Sequence, residues 1–232
     1  MEQDGHSRHG CFSSPYTQVV NLRILVLAAT IAWGTVGTRG DAATVAQPAR
    51  TGAPADTATF AGGCFWCMEA AFEALPGVFS VTSGFSGGPE KNPTYNQVSA
   101  GLTGHRESIQ VLYDPKKITY AKLLDVYWHN IDPTQDDGQF CDRGKQYRSA
   151  IFFRGATQRR SAEASKRAIE SGKRLKGPIV TPILPFTAFW PAEEYHQDYY
   201  KKNPEHYHAY RTGCGRDRRL LEVWGAEAPV HL

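Results

Sequence analysis

The chain is predicted to fold as an α+β domain, a two-layer α/β sandwich of helices laid on a mixed sheet. Three features lead there. Short β-branched and aromatic stretches alternate with segments of helical period. Several of those strands are far enough apart in sequence for a helix to cross between them. The part of the chain with this pattern, residues 58–232, is large enough to bury a core without disulfide staples.

Ala58 to Ala61 reads as a short strand leading into Gly62-Gly63. From Cys64 to Leu75, Phe65, Met68, Ala71, Phe72 and Leu75 recur at helical spacing, and Pro76-Gly77 stops that helix. Val78 to Phe85 is a strand, and Ser86 to Pro93 a Gly/Pro/Asn loop. Glu107 to Tyr113 alternates Ile109, Val111 and Tyr113 on one face and ends at Asp114-Pro115. Thr119 is placed to cap a helix running to His129. Ile131 to Lys145 is polar and Gly-rich, long for a connector, and such loops are often functional. A strand at Ser149–Phe153, a charged helix at Ala156–Leu175, a strand at Ile179–Leu184 and a helix at Glu193–Lys202 follow. The pattern gives two layers without fixing the strand order. The arrangement expected is ferredoxin-like, with a long irregular C-terminal region.

The net charge of +3 is small and its basic residues are scattered, so the concentrated stripe that nucleic-acid binding needs is missing. The basic cluster Arg154 to Arg167 reads as a solvated helix face. Upstream, Ile24 to Gly37 is apolar, flanked by Arg23 and Arg39, and shorter than the roughly 20 residues that span a bilayer. Small residues at Gly40 and Ala42 follow. Residues 1–42 are therefore expected to be an export signal, placing the protein in the periplasm. The n-region from Met1 to Arg23 is long, which leaves an uncleaved anchor as the alternative. Residues 43–57, rich in Ala, Thr and Pro, read as a linker.

Four cysteines lie beyond the signal: Cys64, Cys67, Cys141 and Cys214. Gly62-Gly63-Cys64-Phe65-Trp66-Cys67 puts a thiol at the start of a helix. The unpaired N–H groups and dipole there favour a thiolate, so Cys64 is expected to have a lowered pKa and to act as a nucleophile. Cys67, almost one turn on, is close enough to trap an oxidised Cys64 as a disulfide. Phe65 and Trp66 place flat apolar surface beside the sulfur, suited to a small apolar end such as a thiomethyl group.

Gly-Cys-Phe-Trp followed by Cys or Gly is the signature of A-type methionine sulfoxide reductases, and the chain, with Cys67 at that position, resembles them from Ala61 to about Tyr210. The matching blocks include Gly84-Phe85-Ser86-Gly87-Gly88, Asn92-Pro93-Thr94-Tyr95, Gly104-His105-Arg106-Glu107, Asp132-Pro133-Thr134 and Gln146-Tyr147-Arg148-Ser149. The resemblance implies reduction of the S-epimer of methionine sulfoxide, free or in proteins, within the repair of oxidised proteins. It implies that Cys64 attacks the sulfoxide sulfur and that Glu107 delivers a proton to the departing oxygen. Tyr95 and Tyr147 would hydrogen-bond that oxygen, Asp142 would line the site, and Phe65 and Trp66 would hold the methyl group. The reductant would be thioredoxin or a thioredoxin-like protein. No cofactor or metal is expected, and the protein is expected to be a monomer.

For the resolving thiol, Cys67 ranks first on proximity. Cys214, in the flexible Thr212-Gly213-Cys214-Gly215, ranks second. Cys141 is either near the pocket, beside Asp142, or a packed free thiol. Three other readings compete with this one. A thioredoxin-like Cys-x-x-C oxidoreductase usually has its tryptophan before the first cysteine, whereas Trp66 lies inside the pair. A zinc site of Cys64, Cys67, Cys141 and a histidine or Cys214 lacks a second close ligand pair. The third rival is an exported domain held by two structural disulfides.

Overall fold

The computed structural model describes residues 55–229, all within the compact unit Ala49–Leu232. The expected export signal, Cys11 and the linker up to Pro54 lie outside the described residues.

The first strand, β1 (Asp56–Ala61), starts two residues before its predicted boundary, so Asp56 and Thr57 belong to the sheet rather than to the linker. Helix α1 (Phe65–Glu73) follows, and β2 (Val78–Ser86) returns beside it. A short helix α2 (Tyr95–Ser99) was not anticipated from the sequence. Thr94 and Gln97 form a reciprocal capping box that fixes its start. Next come β3 (Arg106–Tyr113) and α3 (Tyr120–His129), the latter capped by Thr119 as predicted. The polar 131–145 stretch folds into a small hairpin of β4 (Gly138–Gln139) and β5 (Asp142–Arg143). Then come β6 (Ala150–Phe153), α4 (Gly155–Ser171), β7 (Ile183–Pro185) and β8 (Phe189–Pro191).

The six-stranded sheet has the order β7-β6-β1-β3-β2-β8, with β6 and β7 parallel and the other neighbours antiparallel. The sheet is therefore mixed, as expected. Helices α1, α3 and α4 pack on the sheet and on one another. Their shared core holds Ala58 and Phe60 of β1, Phe72 of α1, Ile109 and Val111 of β3, and Tyr127 and Trp128 of α3. Ala61, Ala150 and Phe152 form a smaller cluster with Leu184 and Phe186. Pairing of β2 with β3 sets Phe85 opposite Glu107, which fixes the depth at which Glu107 enters the interior.

The C-terminal region is not irregular. The predicted helix at 193–202 is broken by Asp198, whose φ of 54° is left-handed, into a turn at Glu194–His196 and α5 (Tyr199–Lys202). Helices α6 (Pro204–Gly213) and α7 (Arg216–Trp224) follow. Gly215, at φ +68°, makes the sharp turn between them that a side chain would strain. Among the described residues no helix is long and apolar enough to cross a membrane.

Candidate active site

The site is built around the turn from β1 into α1. Gly63 has φ +81°, and a Cβ there would come within 2.6 Å of the Gln139 side chain, so the turn demands glycine. Cys64 occupies the N-cap position of α1, and its carbonyl accepts the N–H groups of Cys67 (3.2 Å) and Met68 (3.3 Å). Both thiols are internal, Cys64 6% and Cys67 1% exposed.

Glu107 comes in from β3, only 2% exposed, and its Oε2 accepts the Phe65 N–H at 3.1 Å. It thus occupies the N-terminus of α1 beside Cys64. Burial pushes its carboxyl up to about 8, opposed by the Phe65 N–H and reinforced by Asp142 and Cys67. At neutral pH Glu107 therefore carries a proton. Burial also pushes Tyr95 up to about 12, with Glu107 and Cys64 adding to it. The Tyr147 phenol is raised further, first by burial and then by Glu107, Tyr95, Asp142 and Cys64. Both phenols are therefore O–H donors at neutral pH. Asp142, half-buried on β5, accepts the Tyr210 hydroxyl at 2.5 Å. Its carboxyl is raised by burial, against that hydrogen bond and the charge of Arg216.

Phe65 is buried, with ring centroids 6.0 Å from Phe85, 6.2 Å from Tyr95 and 5.1 Å from His196. Trp66 is half-buried, stacked flat on Tyr199 at 3.8 Å, with its Nε1 donating to His196 Nδ1 at 3.2 Å. All seven of these expected residues, Cys64, Glu107, Tyr95, Tyr147, Asp142, Phe65 and Trp66, belong to one constellation.

The remaining cysteines lie differently from expectation. Cys141 is disulfide-bonded to Cys214, so it is not a packed free thiol. With Cys214 held in that bond, Cys67 is the free thiol facing Cys64. The ionisation of the pair also departs from the prediction. Burial pushes Cys64 up, followed by the hydrogen bond and charge of Cys67 and by Glu107 and Asp142. Cys67 is pulled down to about 6, first by the Cys64 hydrogen bond and then, against burial, by Arg216 and Arg211. The two thiols share a proton, and the charges of Arg216 and Arg211 draw the negative charge of the pair towards Cys67. The helix N-terminus favours a thiolate, but here Glu107 already takes up the first N–H.

Sequence reasoning missed the residues that the last two helices supply. Tyr207 and Arg211 (α6) are buried one turn apart, as are Arg216, Leu220 and Trp224 along α7. Tyr207 packs directly on Cys64 and Cys67. The only available signal was this four-residue spacing in a stretch otherwise dominated by charge.

Among the described residues, two groupings of acids and thiols lie close enough to hold a metal ion. In one, Cys141 and Cys214 are joined in the disulfide. In the other, Lys201 Nζ already neutralises Glu73 (2.7 Å) and Asp198 (2.8 Å). A cleft of about 500 Å³ beside Cys214, lined by Asp132, Phe140, Arg143 and Arg218 among others, contains neither Cys64 nor Glu107 and is not the reaction site.

A buried thiol pair facing a protonated carboxyl and two phenols, on a mixed sheet covered by helices, defines a thiol-dependent oxidoreductase. The chain belongs to the peptide methionine sulfoxide reductase family, whose model matches residues 56–228. Among its relatives, peptide methionine sulfoxide reductase MsrA of Bacillus licheniformis is 52% identical over 170 residues, covering 73% of this chain and 94% of that protein. MsrA 2 of Caulobacter vibrioides is 54% identical over 179 residues, covering 77% and 90%. In structure the chain is similar to methionine sulfoxide reductase A of Corynebacterium diphtheriae. The TM-score is 0.59 at 34% identity, over 68% of this chain and 77% of that one. Reduced Mxr1 of Saccharomyces cerevisiae gives a TM-score of 0.61 at 32% identity, over 65% and 87%. The protein is thus an enzyme that reduces methionine sulfoxide.

Proposed function

We propose that Cys64 attacks the sulfur of the S-epimer of methionine sulfoxide while Glu107 protonates its oxygen. The observation that carries this reading is the protonated, buried Glu107 carboxyl held at the N-terminus of α1, next to Cys64. A thiolate cannot expel an oxide dianion, so an acid at that position is what the chemistry requires. As Cys64 attacks, its proton moves to the Cys67 sulfur. A transient bond forms between the Cys64 sulfur and the sulfoxide sulfur. The protonated oxygen then shifts to the Cys64 sulfur as the substrate S–O bond breaks. The sulfur–sulfur bond breaks with it, leaving Cys64 as a sulfenic acid and releasing methionine. Tyr95 and Tyr147 donate hydrogen bonds to the same oxygen. Phe65 and Trp66 hold the methyl group, and Asp142 closes the polar side through Tyr210. Sulfur, oxygen and methyl thus meet three different walls, which selects one configuration at sulfur.

Cys67 then condenses with the sulfenic acid, releasing water and leaving a Cys64–Cys67 disulfide that thioredoxin or a thioredoxin-like protein reduces. Cys67 is favoured over Cys214 because it is free and buried against Cys64. The enzyme acts as a monomer, exported to the periplasm by residues 1–42; amino-terminal sequencing after export tests this, and an intact N-terminus would point to an anchor. Its four central strands form a ferredoxin-like unit, a reading supported by the order β6-β1-β3-β2 with every neighbour antiparallel.

The test is Cys64→Ser. A serine hydroxyl is not ionised near neutral pH, so methionine release from the S-sulfoxide should cease while the circular dichroism stays native. Measurable turnover with dithiothreitol would overturn the assignment, and so would equal rates on the R-epimer for the stereochemistry.

A further inference from the structure

Arg216 stands out as a buried cation without an ion-pair partner. It is 1% exposed, and its guanidinium donates to the carbonyls of Gly62 (3.1 Å) and Asn130 (2.8 Å) and to the Met68 sulfur (3.1 Å). It lies 4.4 Å from the centre of the Phe140 ring. Among the described residues it makes no salt bridge, and its Nε has no hydrogen-bond partner. A buried guanidinium surrounded by carbonyls, a thioether and a ring is costly unless a negative charge lies nearby; the groups whose charge it favours are the Asp142 carboxyl and the Cys67 thiol. Arg211 also is buried. Its Nε reaches both Asp217 oxygens at 3.0 Å, and its Nη1 donates to Tyr207 at 3.3 Å. Tyr207 in turn packs on Cys67, and the positive charge of Arg211 favours the ionised form of that thiol.

We propose that Arg211 and Arg216 are positioning residues for the resolving step, flanking the Cys67 sulfur so that it meets the Cys64 sulfenic acid as a thiolate. This rests on the assignment of Cys67 as resolver. The groups facing Cys67 are Cys64 from its own turn, Glu107 from β3, Tyr207, Tyr210 and Arg211 from α6, and Arg216 from α7. Of these, only the two arginines carry positive charge. In the step itself Cys67 passes the proton it took from Cys64 to the hydroxyl of the sulfenic acid. The resulting thiolate forms a bond to the Cys64 sulfur, the Cys64 S–O bond breaks, and water leaves. The pair of electrons in the new S–S bond comes from Cys67. A Cys67 thiol that the arginines make easy to ionise shortens the life of the sulfenic acid and guards it from over-oxidation.

The experiment follows a single turnover on free methionine S-sulfoxide, measuring methionine release and, with a dimedone-type reagent, the surviving sulfenic acid. In Arg211→Gln and Arg216→Gln, condensation at pH 7 should slow at least tenfold relative to methionine release. Forming the sulfenic acid at pH 7 and then jumping to pH 9.5, so that the acid step by Glu107 is already over, should restore the rate of condensation. Arg211→Lys and Arg216→Lys should retain most of the rate, and they keep the test decisive if a glutamine variant fails to fold. Slowing of both steps alike, with no recovery at high pH, would reduce the arginines to packing and overturn the proposal. Cys67→Ser separates the two readings. If it accumulates no sulfenic acid, the resolver assignment itself falls and this proposal with it. If it stalls while the arginine variants condense normally, only the role of the arginines is wrong.

Discussion

Glu107 is the residue on which both chemistry and stability turn. Its carboxyl titrates at about 8 in the folded protein, displaced upward mainly by burial. The protonated form is the acid, so methionine release under single-turnover conditions should be constant below pH 7 and fall as the pH rises through about 8. Glu107→Gln can still hydrogen-bond the oxygen but has no proton to give, so release should slow by roughly 10²–10⁴. An unchanged rate, or an unchanged pH profile, would remove Glu107 from the chemistry. The same displacement fixes a sign for stability. Unfolded, the group ionises near an ordinary glutamate value; folded, it keeps its proton to about 8. The native state therefore binds the extra proton between these limits, and the stability linked to Glu107 is complete at low pH and lost as the pH rises through about 8. Glu107→Gln has no charge to bury, so its melting temperature should overtake that of the parent as the pH climbs from 6 to 9. A constant gap would mean that the carboxyl is not held neutral by the fold.

At the level of elements, α1 is fixed by a carboxylate as much as by apolar packing. Glu69 lies buried on its inner face; its Oε2 accepts the Ser83 hydroxyl of β2 at 3.1 Å, and its Oε1 accepts the Asp198 N–H before α5 at 3.1 Å. One side chain thus sets the distance between the helix that carries Cys64, the central sheet and the first C-terminal helix. Removing it in Glu69→Ala leaves buried donors unpaired, at a cost of about 1–3 kcal/mol for each. In a domain of this size each kcal/mol is worth about 2–4 °C, so a loss of roughly 4 to 24 °C is expected by scanning calorimetry. A shift below 2 °C would mean that the three elements are held by apolar contact alone. These elements also mark what could be read in advance. The strands around the site, the Cys64 helix and the Thr119 cap were legible because apolar period and capping chemistry are local. Helices α6 and α7 were not, because arginines occupy buried positions where the pattern looks for apolar residues. Strand β8 escaped because three residues, Phe189–Pro191, carry no period until β2 pairs with them. Cys64, Glu107, Tyr95 and Tyr147 were placed through their motif blocks, whereas Arg211 and Arg216 reach the thiols only through the tertiary turn at Gly215.

For the whole molecule, the Cys141–Cys214 bond joins parts of the chain 73 residues apart. It links the β4–β5 hairpin, which carries Asp142, to the turn between α6 and α7, which carries Arg211 and Arg216 on either side. The Tyr210 hydroxyl bridges the same two parts by its bond to Asp142. Beyond residue 42 the sequence has four thiols and no means of pairing them, since pairing depends on where the last helices dock. Closing a loop of 73 residues is worth about 4 kcal/mol through the lost entropy of the unfolded chain. At about 2–4 °C for each kcal/mol, Cys141→Ser and Cys214→Ser should each lower the melting temperature by roughly 8–16 °C. The double variant should lose no more than either single one, because each removes the same link. Reduced parent protein should melt with the variants, which separates the loss of the bond from the effect of serine itself. Because the bond acts on the unfolded chain, the loss should appear mainly in the entropy of unfolding rather than in its enthalpy. Two single variants that differ widely, or a double variant whose loss is the sum of both, would mean that the cysteines act as separate packing residues and that no bond joins them in solution.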